Sequence, residues 1–162
     1  MAKPRVYLET SFFRYLVAVP RTDRIKAARQ QVTTEWWAHR RANFELRVSQ
    51  VVYDELGLLE PGKVSEAEAG KRSELVQAAE LLPLDGAILE VARLLVEPAG
   101  PLPARAAADA IHWAVAAAYE CEYVLTWNYR HLNNATIKRR AERILREHGY
   151  ESPTICTPEE LF

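Results

Sequence analysis

The sequence predicts an α/β fold in which strands and helices alternate and the strands pair in parallel. Two short apolar runs, Val6-Tyr7-Leu8 and Tyr123 to Thr126, have the length and composition of buried strands. Each is followed by polar residues and then a helical pattern, and repeated strand–helix alternation implies parallel βα units. The stretch from Ala104 to Asn134 shows this most clearly: alanine-rich helix to about Glu120, tight turn, strand, then a polar turn at Trp127-Asn128. In open α/β sheets ligands lie outside the carboxyl ends of the strands. Asp109 near the helix start, Asn128 past one strand and Glu9 past another are therefore placed to face one site.

The other elements follow in order. Arg5 to Leu8 is a strand, and Thr10 or Ser11 is a good N-cap for the helix after it. Phe12 to Ala18 is apolar almost all round, so that helix is deeply buried or covered by a partner, and Pro20 ends it. Asp23 to Ala42 reads as a long helix with Ile25, Ala28, Val32 and Trp36 on one stripe and Trp37 off it. Phe44 to Ser49 is a strand, and Gln50 to Leu59 a short helix with Glu55 among apolar residues. Ser65 opens a capping box, and the helix behind it runs to about Leu81. Leu82 to Leu84 is a connector or very short strand, Gly86 to Val96 a helix, and the proline-rich 98–103 a loop. After the central stretch come a basic helix from Ala135 to His148 with Gly149 behind it, a strand from Pro153 to Cys156, and a terminal turn of helix. There is no internal repeat and no second-domain linker, so residues 1–162 read as one domain.

Composition narrows the class. Hydrophobic residues make up 49% of the 162 residues, enough for a substantial core. Cys121 and Cys156 form no metal-binding spacing and read as reduced, buried thiols, which points to a cytoplasmic protein. The first strand begins almost at once, so no signal peptide is expected, and no run is long enough to span a bilayer. The net charge is −1, from 21 basic and 22 acidic residues, so the total neither points to nucleic acid nor excludes it.

Glu9, Glu55 and Asp109 lie on or beside apolar segments rather than on charged faces. Clustered carboxylates repel unless one protonates or a cation neutralises them. Oxygen-only ligands suit Mg²⁺ or Mn²⁺, ions that promote phosphodiester hydrolysis. Asn128 would add a neutral oxygen or orient an acid. Taken singly, each has an ordinary explanation: a solvated strand-end acid, an exposed helix acid, a first-turn acid favoured by the helix dipole, a turn-tolerant amide. His112 and His131 read more readily as structural or surface residues than as ligands, and the Lys138–Arg146 basic run as a solvated face.

The arrangement as a whole resembles the PIN-domain family, especially VapC-type toxin ribonucleases. The matching segments are YLETSFF (7–13), SQVVYDEL (49–56), PARAAADAIHWAVAAA (103–118) and YVLTWNYRHLNN (123–134), in the family's order. The resemblance implies a three-layer α/β/α sandwich on a central parallel sheet and a Mg²⁺- or Mn²⁺-dependent endoribonuclease, the toxin of a toxin–antitoxin pair. It makes Glu9, Glu55 and Asp109 the metal-binding acids. Glu9 stands where the family usually has its first Asp, and Asn128 where many members keep a fourth, leaving three acids instead of four. Thr10, Ser11 and Thr126 become supporting hydroxyls, and Arg14, Arg130 and His131 candidate substrate contacts. Implied partners are RNA, an antitoxin and, for some members, a second copy of the chain, with no membrane. The aromatic set Phe12, Phe13, Tyr15, Trp36 and Trp37 is a candidate interface, because adjacent tryptophans point about 100° apart on a helix. The alternative motivated by Glu9 and Asn128 is a weak or inactive PIN-like module that binds RNA or protein without cutting. A phosphoacceptor receiver domain is disfavoured, because no second acid adjoins Glu9.

Overall fold

The first strand, β1 (Arg5–Leu8), is the middle of the molecule. Val6, Tyr7 and Leu8 are all fully buried. Successive strand residues point to opposite faces, so the sheet must be covered on both sides. The structure, a computed structural model, describes residues 1–162. It shows five parallel strands in the order β3-β2-β1-β4-β5, with β2 at Glu45–Ser49, β3 at Glu80–Leu82, β4 at Tyr123–Leu125 and β5 at Thr154–Cys156. Seven helices accompany them: α1 (Thr10–Val17), α2 (Arg24–His39), α3 (Gln50–Glu55), α4 (Glu66–Val76), α5 (Gly86–Leu94), α6 (Ala107–Ala118) and α7 (Ala135–Glu147). This is the PIN-like sandwich on a parallel sheet expected from the sequence.

The order of the strands decides where a site can form. The chain moves outward from β1 through β2 to β3, then returns to lay β4 on the other side of β1. Val6, Tyr7 and Leu8 pair with Tyr123, Val124 and Leu125. The reversal opens a crevice at the carboxyl ends of β1 and β4, the usual ligand position in such sheets. One continuous core runs from Leu82 of β3 to Ile155 and Cys156 of β5. Cys121 and Cys156 are part of it; burial pushes both thiols up to about 12, so they stay protonated and act as small apolar residues. No helix is long and apolar enough to cross a membrane.

Several local expectations change. The cap of α1 is Glu9, whose side chain accepts from the Ser11 amide, not Thr10 or Ser11. Helix α3 stops at Glu55 instead of Leu59, because Gly57 turns the chain at φ +73°, a conformation glycine adopts without steric cost. Helix α4 stops at Val76, well short of Leu81, since pairing of Glu80–Leu82 with Arg47–Ser49 overrides the helical propensity of the alanines before it. Strand β3 therefore precedes Pro83, where only a connector or short strand was expected.

The stripe expected on α2 does not hold. Ile25 is 64% exposed and Ala28 is exposed, while Thr33, Trp36 and Trp37 are buried. Only the second half of α2 reaches the core. Phe12 packs against both tryptophan rings, with centroids 5.5 Å from Trp36 and 6.1 Å from Trp37. The Trp36 indole donates to the Leu161 carbonyl at 3.1 Å, and Arg41 stacks over Trp37 at 4.5 Å. The terminal turn and the segment after α2 thus cover what a single helix face could not. Phe12, Phe13, Trp36 and Trp37 are core, and the interface expected for them is withdrawn. Tyr15 alone stays half-buried, against Trp127.

Candidate metal centre

Glu9 leaves β1 at the crevice, with its backbone amide still bonded to the Leu125 carbonyl of β4 at 3.1 Å. Its side chain is 4% exposed. A buried carboxylate needs donors, and Oε2 has three: the Ser11 amide at 3.1 Å, the Ser11 hydroxyl at 2.5 Å and the Thr126 hydroxyl at 2.7 Å. The Ser11 hydroxyl also accepts from the Trp127 amide at 2.8 Å, which ties the end of β4 to the start of α1. Oε1 of Glu9 takes no hydrogen bond from the protein.

Glu55 ends α3 on the other side of β1. Its Oε1 accepts from Thr10 at 2.8 Å and lies 2.5 Å from Nε2 of His112. Oε2 is left for another partner. Glu9, Glu55 and His112 each bring a ligand-type atom within 4.8 Å of the others. Burial alone would raise the Glu55 carboxyl. The His112 hydrogen bond and charge, the Thr10 hydroxyl and nearby Arg14 outweigh it and hold Glu55 below its ordinary value. Burial would lower His112, but the Glu55 hydrogen bond and the charges of Glu9, Glu55 and Asp109 raise it. Nε2 of His112 is bonded to Glu55, and its Nδ1 lies 2.6 Å from the Tyr7 hydroxyl, which lies 2.7 Å from the Ser49 hydroxyl; in its protonated form the imidazole donates from both nitrogens. Burial raises the Tyr7 phenol further, so it remains protonated.

Asp109 sits in the first turn of α6, three residues and one turn before His112. It stands outside the 4.8 Å group. Its Oδ1 accepts from the Asn128 side-chain amide at 3.1 Å, and its Oδ2 lies 2.8 Å from Nδ1 of His131. The Asn128 oxygen accepts from the His131 backbone amide at 3.0 Å, and the Asn128 backbone donates to Thr126 at 2.9 Å. Both ends of the Asn128 amide are therefore engaged, and it orients Asp109. A chain of hydrogen bonds runs from Glu9 through Thr126 and Asn128 to Asp109 and His131.

The structure thus gathers Glu9 and Glu55 at one point and holds Asp109 beside them through Asn128. Thr10, Ser11 and Thr126 contact the acids directly. Arg14 is exposed and reaches the Glu55 backbone carbonyl at 3.3 Å, Arg130 is exposed, and His131 is committed to Asp109. His112, Tyr7 and Ser49 are the residues sequence reasoning placed elsewhere. The available signal was a lone imidazole one turn from Asp109 in an otherwise alanine-rich helix.

The donor set suits a hard divalent cation. Two carboxylates approach closely, each keeps one oxygen unbonded, and the other oxygens are locked in place. In the metal-free protein, the His112–Glu55 pair adds stability that is complete between about pH 4.5 and 6.5, the ordinary values of the two groups. It fades as pH rises through the raised value of His112 and as pH falls through the lowered value of Glu55. In EDTA, the gap in melting temperature between wild type and Glu55→Gln should be widest in that window and narrow as pH rises above it. A gap of constant size would mean the pair is not ionised as described.

The PIN-domain sequence profile matches residues 6–137. Among solved structures, Mycobacterium tuberculosis VapC20, a sarcin-ricin loop cleaving toxin, superposes with a TM-score of 0.57 at 15% identity, covering 77% of this chain and 91% of that one. VapBC2 from Rickettsia felis, bound to a DNA fragment from its promoter, superposes with a TM-score of 0.53 at 15% identity over 83% and 92% of the two chains. No curated protein matches in sequence. The two structural likenesses concern the fold, whereas the profile match spans Glu9, Glu55, Asp109 and Asn128 in a single stretch. On that match the chain belongs to the PIN-domain family.

Proposed function

We propose that the protein is a Mg²⁺- or Mn²⁺-dependent endoribonuclease, the toxin of a toxin–antitoxin pair. The observation that carries this is the meeting of Glu9 and Glu55 at the β1–β4 crevice, each with one carboxylate oxygen held and one unbonded. Glu9 and Glu55 would hold the cation, with Asp109 as the third acid of the centre. Such an ion supplies Lewis acidity toward the phosphodiester and its attacking water.

The chain's own part is preorganisation. Ser11 and Thr126 fix Glu9 by three hydrogen bonds, so it need not reorganise during reaction. Thr10 and His112 aim Glu55 in the same way. Asn128 and His131 hold Asp109. Exposed Arg14 and Arg130 are suited to phosphate oxygens. Purified protein should cut RNA with Mg²⁺ or Mn²⁺ and stop in EDTA. RNA binding without cleavage under any of these conditions would favour the non-cutting module instead.

A protein antitoxin is the proposed partner. With four of the five aromatics in the core, its seat moves to Tyr15 and to Val19 and Ile25, exposed around the start of α2. Ile25→Glu should weaken antitoxin binding about tenfold or more while RNA cleavage persists, since a charge would replace buried apolar area. Unchanged affinity would move the interface elsewhere.

A further inference from the structure

Helix α7 is the most basic helix of the molecule. It carries Lys138, Arg139, Arg140, Arg143 and Arg146 against Glu142 and Glu147, five positive charges and two negative. That +3 sits in a chain of net −1, so the remaining residues carry −4. Arg139, Arg143 and Arg146 recur at i, i+4 and i+7, which places them on one face, and all three are exposed. Arg139, Arg140 and Arg146 pair with no acid, and Arg143 reaches only Glu147, at 4.0 Å. The opposite face is used by the core: Ala141 and Leu145 are buried, and Ile137 and Ile144 pack against them. No apolar face remains to enter a lipid surface, so membrane binding does not fit this helix.

Its position ties it to the site. Asn134 caps α7. Asn134 ends the segment that begins at Trp127, and within it Asn128 and His131 hold Asp109. From that cap Arg139 lies roughly 7 Å along the helix and Arg146 roughly 18 Å, at 1.5 Å per residue. The centre itself is acidic and, without other help, repels a polyanion.

Resting on the ribonuclease reading above, we infer that the Arg139–Arg143–Arg146 face of α7 is a track for the phosphate backbone of single-stranded RNA, leading away from the acidic centre. The track reads charge and not sequence, so it sets affinity for long RNA and leaves the choice of cut position to the centre. It also offsets the −4 of the remaining surface at the point where the substrate must approach.

The test compares wild type with the triple variants Arg139→Gln/Arg143→Gln/Arg146→Gln and Arg139→Lys/Arg143→Lys/Arg146→Lys. Binding of a long single-stranded RNA is followed in EDTA across a salt series. Each phosphate contact in a single strand adds about 0.7 to the slope of log affinity against log salt. The Gln variant should lose about 2 from that slope and bind about tenfold or more weakly at low salt. The Lys variant should keep both. With metal, the Gln variant's KM for long RNA should rise about tenfold at unchanged kcat, and an oligonucleotide too short to reach Arg139 should show no such rise. A Gln variant with wild-type slope and KM overturns the track and leaves the face to an acidic protein. If wild type cuts no RNA yet shows the charge-dependent binding, the nuclease reading falls and the track stands.

Discussion

Glu9→Gln is expected to lower metal-dependent RNA cleavage by about a hundredfold or more. The substitution keeps the shape of the side chain, and its remaining carbonyl oxygen can still accept from Ser11 and Thr126, the donors that now satisfy Glu9. What is lost is the negative charge at a buried position, and a divalent cation depends on that charge. Removing groups that merely orient ligands costs about 10- to 100-fold in metal affinity or activity, so losing a ligand itself belongs at or above the top of that range. Asn128→Ala, which removes the amide that orients Asp109 and accepts from the His131 backbone, should fall inside it. Circular dichroism should show both variants folded. Wild-type rates for Glu9→Gln would remove Glu9 from the centre.

The second large effect is on stability. Two carboxylates that meet in the folded chain and separate in the unfolded one make cation binding specific for the native state. Saturation then stabilises by RT ln(1 + [L]/Kd), about 2.7 kcal/mol at a hundredfold excess over Kd. For a chain of this length that corresponds to a rise in Tm of about 5–10 °C. Mn²⁺ should produce such a rise in wild type and almost none in Glu9→Gln/Glu55→Gln. Equal Mn²⁺ shifts in the two proteins would place the ion elsewhere.

Much of this geometry was legible in the residue order. Strand–helix alternation, with Val6-Tyr7-Leu8 and Tyr123-Val124-Leu125 as apolar strands, pointed to the parallel sheet and to its carboxyl end as the candidate site. Polar residues just past buried strands lie at the carboxyl edge of the sheet, which is why Glu9 and Asn128 were candidates although each alone had an ordinary explanation. The misses have a common physical origin in contacts distant along the chain. Strand β3 exists because β2 offers it a partner. Trp36 and Trp37 can both be buried because Leu161 and Arg41 close over them from outside the helix. His112 becomes a partner of Glu55 only when residues 57 positions apart are brought to 2.5 Å. Such pairings leave no local pattern, and periodicity within one helix does not register them.

The most direct measurement of the central claim is single-turnover cleavage of one RNA by wild type and Glu55→Gln, both stripped with EDTA and then supplied with Mn²⁺. Glu55 is held from two other elements, by His112 from α6 and Thr10 from α1. Restoration of cleavage in wild type, with Glu55→Gln at least about a hundredfold slower, is the expected result. Equal restoration in both proteins would contradict a metal centre built on Glu9 and Glu55.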